Sequence, residues 1–392
     1  MLGLGGLILL LAVLWWEHRT EITLPEPTGH FAVGRTTYTW VNNAQTDELA
    51  PSPGAKRVVV VWIWYPSPAA ISTVRAQYLP APWRVALAQH SGVLMSQFFT
   101  RDLSVVHTHS TSDPDISPEQ RSYPVVIMRA GGGALTTDFT TLAEDLASHG
   151  YIVVGFDAPY RTLVVVLPDN RVVTRPPANN PENLPGAQAD RLINGLLPMW
   201  TSDTKFVVSQ LEQLNAADLS GKFTGRLDLQ RLGVFGHSFG GATALQFCHD
   251  DPRCKAGIDI DGAPYGSVVQ DGLKQPFLFI LSDHSRELSD PASKQIHANI
   301  QSIDDRLLNG PSLITIRGAH HFSFSDQSLL KSYYLMKALR SVGAFGELDA
   351  RRGLGISAAY VHTFFDVYLK GAPATELTSV SAQYPEVQVE SY

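Results

Sequence analysis

Cysteine is nearly absent from this sequence. Two residues, Cys248 and Cys254, occur among 392. That excludes a disulfide scaffold and a four-cysteine zinc site. Charge is sparse as well, at 17% of residues, with 30 Lys plus Arg against 37 Asp plus Glu. A mildly acidic chain with no basic run offers little to a phosphate backbone, so nucleic acid is not an expected partner. The hydrophobic share of 44% is too high for a disordered chain and sufficient for a large core.

One stretch lacks charge altogether. Met1 to Trp16 carries no charged side chain before Glu17, His18 and Arg19. As a helix, about 15 residues rise only about 22 Å, short of the roughly 30 Å hydrocarbon core. The stretch has neither the basic start nor the small-residue cleavage site of a signal peptide. Paired Trp15 and Trp16 suit a membrane–water interface. The expectation is an anchor or uncleaved signal in residues 1–20, placing the protein outside the cytoplasm at a membrane surface. Cleavage and secretion, or a buried first helix, are the alternatives.

Residues Thr20–Thr28 read as a linker. Residues 21–392, this linker included, read as one α/β domain with insertions near 68–119 and 161–200. Arg57–Tyr65 is too apolar for a strand with one wet face and predicts a strand covered on both sides. Pro124–Met128, Tyr151–Phe156, Leu232–Phe235, Ala256–Ile260, Pro276–Leu281 and Leu313–Ile316 are further strand candidates. Helical spacing over Phe139–His149 and Thr204–Leu214 separates some of them, which predicts βαβ units and a mostly parallel sheet with helices on both faces. Arg161–Gln188 is rich in proline and predicts a lid or binding loop. Leu197, Pro198, Met199 and Trp200, just beyond it, are expected to line a mouth.

The sharpest signal is Gly236-His237-Ser238-Phe239-Gly240-Gly241, a G-x-S-x-G that follows an apolar strand and precedes a helix-forming run. In that context the turn is so tight that the serine backbone is strained and its hydroxyl is lifted above the sheet. The following helix N-terminus faces any developing negative charge. Ser238 is therefore the candidate nucleophile, and it needs a base and an orienting acid. In chain order these follow it. His321 and His320 lie after the strand Leu313–Ile316 and the Gly318 turn. His237 is expected to point away from Ser238, and His249, His284, His297 and His362 read as ordinary histidines. For the acid, Asp261 and Asp283 both sit at strand ends, where α/β sheets place their sites, and the residues alone do not separate them. Asp259, deeper in its strand, reads as structural. The oxyanion hole draws on the N–H groups of Phe239 and, after an early strand, of Gly132 within Arg129-Ala130-Gly131-Gly132-Gly133.

These residues, with Thr28-Gly29-His30-Phe31-Ala32-Val33-Gly34, Trp64-Tyr65-Pro66-Ser67 and Leu146-Ala147-Ser148-His149-Gly150-Tyr151-Ile152-Val153, resemble the plasma-type platelet-activating factor acetylhydrolase family. The resemblance runs over most of the chain from about Thr28. It implies the α/β-hydrolase fold with a loop or helix cap. It also implies a serine esterase acting on phospholipids with short or oxidised sn-2 acyl chains. The family's GI-x-x-D segment matches Gly257–Asp261, which favours Asp261 as the acid. Its H-x-x-F spacing fits His321 and Phe324, which favours His321 over His320. Ala130 departs from the His that relatives carry before the oxyanion donor. No metal or organic cofactor is implied.

Rival readings remain at this stage. Polyester and dienelactone hydrolases share GHSxGG, so other esters are alternative substrates. A non-catalytic binding module is a third possibility. His107-Thr108-His109 with Asp113 is similar to a metallohydrolase fragment but has no matching acid–histidine set. Cys248 and Cys254 could pair or stay as buried thiols.

Overall fold

A computed structural model describes residues 2–68, 74–283, 291–307, 313–341 and 346–389. In chain order these form α1 (Leu2–His18), β1 (Ile22–Thr23), β2 (Ala32–Thr46), β3 (Lys56–Ser67), β4 (Arg75–Gln77), α2 (Ala81–Leu94), β5 (Val106–Ser112) and β6 (Tyr123–Arg129). There follow α3 (Thr140–Ser148), β7 (Ile152–Asp157), β8 (Val164–Val166), β9 (Val172–Thr174), α4 (Gly186–Ala216), β10 (Leu227–His237), α5 (Phe239–Asp250) and β11 (Cys254–Ile260). The chain continues through α6 (Val268–Asp271), β12 (Phe277–Ser282), α7 (Pro291–Asp304), β13 (Leu313–Ile316), α8 (Gln327–Leu330), α9 (Tyr333–Ser341), α10 (Ala350–Lys370), α11 (Thr375–Gln383) and β14 (Val387–Val389).

The main sheet runs β1-β5-β2-β3-β7-β6-β10-β11-β12-β13-β14, with β4 paired to β5. From β7 to β13 every pairing is parallel. All seven apolar runs picked out in the sequence are strands of this sheet. The run at residues 57–65 departs from the βαβ expectation, since β3 is antiparallel to both β2 and β7. Its burial is as expected. Strand alternation sends Val60, Trp62 and Trp64 into one core and Val59, Val61, Ile63 and Tyr65 into the other. Helices on the two faces close these cores, giving the α/β-hydrolase architecture.

Three local readings need correction. The linker at residues 20–28 contains β1, which pairs with Val106 and His107 while Leu24 is buried. The proline-rich segment is not simply loop: β8 and β9 pair as a hairpin, and α4 starts at Gly186. Pro198 lies inside this 31-residue helix, where its missing N–H leaves one rung unmade without ending the helix. Leu197 and Trp200 are buried rather than at a mouth. Trp200 packs edge-on against Phe239 at 5.0 Å and lies 4.8 Å from the Arg129 guanidinium, beneath the elbow. Cys248 and Cys254 form a disulfide.

The charge-free N-terminal stretch is helical, and its last turn is built into the domain. Glu17 is buried. Its carboxylate accepts from Ser332 Oγ at 2.6 Å and lies 3.6 Å from Arg101. His18 donates its Nδ1–H to the Thr100 carbonyl at 2.7 Å. Farther up, Leu7, Ile8, Leu9, Trp15 and Trp16 are exposed. Among the described residues, no helix is long and apolar enough to cross a membrane.

Candidate active site

β10 ends at His237 and α5 begins at Phe239, leaving one residue to turn the chain. Ser238 makes that turn with φ 56° and ψ −126°. The conformation is costly for a residue with a side chain and persists only where its surroundings enforce it. Two close approaches do so. A Cβ on Gly236 would collide with the Gly240 carbonyl, and one on Gly240 would collide with the carbonyls of Arg129 and Ala130. Ser238 N donates to the Ile260 carbonyl at 2.8 Å, tying the elbow to β11.

Asp261 follows directly at the end of β11, also with positive φ, 55°. Its carboxylate is nearly fully buried and accepts from Ser282 N at 2.7 Å and Ser282 Oγ at 3.0 Å. Its Oδ2 also lies 2.8 Å from His321 Nδ1. That contact places the Nδ1 proton between them and leaves the Nε2 lone pair free to accept. His321, not His320, carries the contact. Asp283 instead accepts from Gly318 N at 2.9 Å and braces the turn before the histidines. Asp259 accepts from Gly262 N at 2.9 Å, and burial raises its carboxyl well above the usual range.

Ser238 and His321 face one cavity of about 910 Å³, which Gly131, Gly132 and Gly133 also line. No hydrogen bond joins Ser238 Oγ to His321 among the described residues. Such contacts commonly tighten only when substrate is bound. Of the two expected oxyanion donors, Gly132 lines this cavity, and a Cβ on it would meet open space; Phe239 opens α5 directly after Ser238, where first-turn N–H groups lack helical partners. Ala130 is buried.

His237, expected only to point away from Ser238, packs against His321. Its ring lies 4.5 Å from that of His321, and its Nε2 lies 2.7 Å from the His321 carbonyl. Burial, and then the adjacent His321, push its pKa down to about 3. It is therefore a neutral imidazole donating Nε2–H, a brace behind His321. Only its adjacency to Ser238 signals this in the sequence. Ser282, which holds Asp261, has no sequence signal beyond its place at a strand end.

The metallohydrolase-like fragment does not assemble. His107 pairs with Glu21 at 3.1 Å, His109 Nε2 donates to the Leu24 carbonyl at 3.0 Å, and Asp113 pairs with Lys222. Asp145, His149 and His362 do place possible ligand atoms within 4.8 Å of one another. They are already spent on a clasp. Thr28 Oγ1 donates to Asp145 at 2.7 Å, His362 Nδ1 lies 2.8 Å from Asp145, and the two imidazoles stack at 3.9 Å. Of the other histidines read as ordinary, His249 pairs with Asp250 at the surface, while His284 lies outside the described residues.

A strained serine directly after β10, with a buried acid after β11 paired to a histidine after β13, is the layout of α/β-hydrolase-fold ester hydrolases. A ferulic acid esterase from Streptomyces cinnamoneus superposes with a TM-score of 0.77 at 25% identity, covering 95% of this chain and 100% of that one. The chain belongs to the family described as platelet-activating factor acetylhydrolase, isoform II, whose profile matches residues 17–159 and 205–371. A probable 1-alkyl-2-acetylglycerophosphocholine esterase of Arthroderma benhamiae is 25% identical over 293 residues, covering 70% of this chain and 67% of the relative. The platelet-activating factor acetylhydrolase of Cavia porcellus is 28% identical over 223 residues, covering 52% of this chain and 48% of its own length. The match thus spans between about half and two thirds of these relatives.

Proposed function

We propose that this chain is a serine esterase that hydrolyses the sn-2 ester of phospholipids bearing short or oxidised acyl chains. The observation that carries the proposal is that His321, paired with the buried Asp261, faces the same cavity as the strained Ser238. Ser238 Oγ attacks the ester carbonyl while His321 Nε2 takes its proton. The proton then passes to the leaving alcohol, leaving an acyl-enzyme that water hydrolyses by the same route. Asp261 fixes the tautomer and stabilises the imidazolium. The N–H groups of Phe239 and Gly132 stabilise the oxyanion. No cofactor enters these steps. The family membership and the named activities of the two relatives support the substrate class.

The apolar, exposed part of α1 supports association with a lipid surface. Its last turn lines the cavity through Trp15, His18 and Arg19, so attachment and substrate entry share one side of the molecule. The unmatched residues 160–204 support an insertion on a single domain running from 21 to 392. The same machinery acting on other carboxylic esters is the second reading, and the likeness to a ferulic acid esterase favours it. A panel of short-chain phospholipids and neutral esters decides between the two. Faster turnover of the phospholipids supports the proposal; turnover of neutral esters alone refutes it.

A further inference from the structure

Of the basic side chains that line the cavity, two are paired with carboxylates. Arg19 lies 3.7 Å from Asp102, and Arg101 lies 3.6 Å from Glu17. Lys331 has no such partner. Among the described residues, no carboxylate lies within 4.0 Å of its Nζ. Its contacts are Thr100 Oγ1 at 3.2 Å and Met95 Sδ at 4.0 Å. A backbone bridge also pairs Lys331 with Thr100, so the residue that receives the ammonium is the one that anchors its backbone. Burial lowers its pKa, and the nearest acid felt is Asp138. That carboxyl is itself occupied, accepting from Leu135 N at 3.0 Å and Gln327 Nε2 at 2.7 Å. Burial raises the Asp138 pKa.

A partly desolvated cation is costly without a counter-charge. The cavity mixes apolar groups such as Leu135, Phe139, Leu163 and Met336 with charged ones such as Arg19, Arg101 and Asp102, and there an unpaired ammonium favours ligands that join apolar surface to an anionic group. We propose that Lys331 recognises an oxyanion carried by the ester substrate. The inference rests on the esterase reading above and adds a specificity-determining residue to it. Two parts of a phospholipid could present that oxyanion: the phosphodiester of the headgroup, or a terminal carboxylate on an oxidised acyl chain. The contact exists before and during reaction, so its loss falls on KM more than on kcat.

The test compares Lys331→Met and Lys331→Arg with the wild-type chain on two matched pairs. One pair is 1-alkyl-2-acetylglycerophosphocholine and the corresponding 1-alkyl-2-acetylglycerol. The other is the p-nitrophenyl monoester of glutaric acid and p-nitrophenyl butyrate. For Lys331→Met, the anionic-to-neutral ratio of kcat/KM should fall about tenfold or more, as for loss of one charged hydrogen bond. Most of that fall should lie in KM, and Lys331→Arg should restore most of it. A fall in the first pair assigns the phosphodiester; a fall in the second assigns the acyl carboxylate. An unchanged ratio in both pairs overturns the proposal, as does equal loss on all four substrates. If the wild-type chain cleaves only the neutral and carboxylate esters, the phospholipid reading fails, and the second pair alone judges Lys331.

Discussion

Asp261 Oδ2 lies 2.8 Å from His321 Nδ1, although sixty residues separate them in the chain. Ser282 holds the same carboxylate from the neighbouring strand. Asp283, one residue further, accepts instead from Gly318 N in the turn that precedes the histidine. The contact therefore favours Asp261 over Asp283 as the acid of the proposed triad. Asp261→Asn should lower kcat by about 10⁴, the size seen when a triad loses its tautomer-fixing acid. Asp283→Asn should cost less than about tenfold, because it loosens a turn without touching the imidazole. Steady-state kinetics on a p-nitrophenyl ester checks both, and the reverse order would transfer the role to Asp283.

His237 is buried against His321, with its pKa held down near 3. A histidine depressed from about 6.5 binds fewer protons folded than unfolded between those values. Its contribution is complete above pH 6.5 and is lost as pH falls toward 3. The expected loss from this residue between pH 7 and pH 5 is about 2 kcal/mol. Buried Asp259 and Asp326, whose pKa values are raised, act in the opposite sense. The difference between wild type and His237→Gln isolates the imidazole. Denaturant unfolding at the two pH values should show the wild type losing about 2 kcal/mol more than the variant.

The oxyanion assignment separates a backbone donor from its side chain. A Cβ at Gly132 meets nothing within 4 Å, so Gly132→Ala should keep kcat within a few-fold of wild type. Gly132→Pro removes the N–H and should lower kcat by about 10²–10³. A thermal melt of the proline variant distinguishes lost donation from lost structure. Equal kinetics for the two variants would remove Gly132 from the mechanism.

Glu17 ties the apolar first helix to the cavity rim. Glu17→Ala leaves Arg101 and Ser332 without their shared acceptor, which should cost about 1–3 kcal/mol of local opening free energy. The connection near Arg19 should then be cut faster in limited trypsin digestion. Unchanged cleavage would mean that α1 docks through its apolar contacts alone.

The parts legible in the sequence were those written in local pattern. Seven apolar runs gave sheet strands because burial on both faces removes polar alternation. The elbow was legible because its glycines are demanded by steric collisions a few residues apart. The choice between Asp261 and Asp283 was not local. Both end strands, and what separates them is the position of His321 in space; where spacing left the two level, the family resemblance favoured Asp261. α4 was obscured by the prolines before it and by Pro198 within it, since a long helix tolerates one lost rung when packing on Phe239 and Arg129 compensates. β1 and the Glu17 clamp depend on partners more than eighty residues away, and the two-residue strand carries no period to read.

The central claim is that Ser238 is the nucleophile of an acyl-transfer esterase. Incubation with a fluorophosphonate probe, followed by mass spectrometry of the labelled peptide, tests it most directly. The account predicts one stoichiometric adduct on Ser238, abolished in a folded Ser238→Ala variant together with ester hydrolysis. Labelling on another residue, or undiminished labelling of Ser238→Ala, would contradict it.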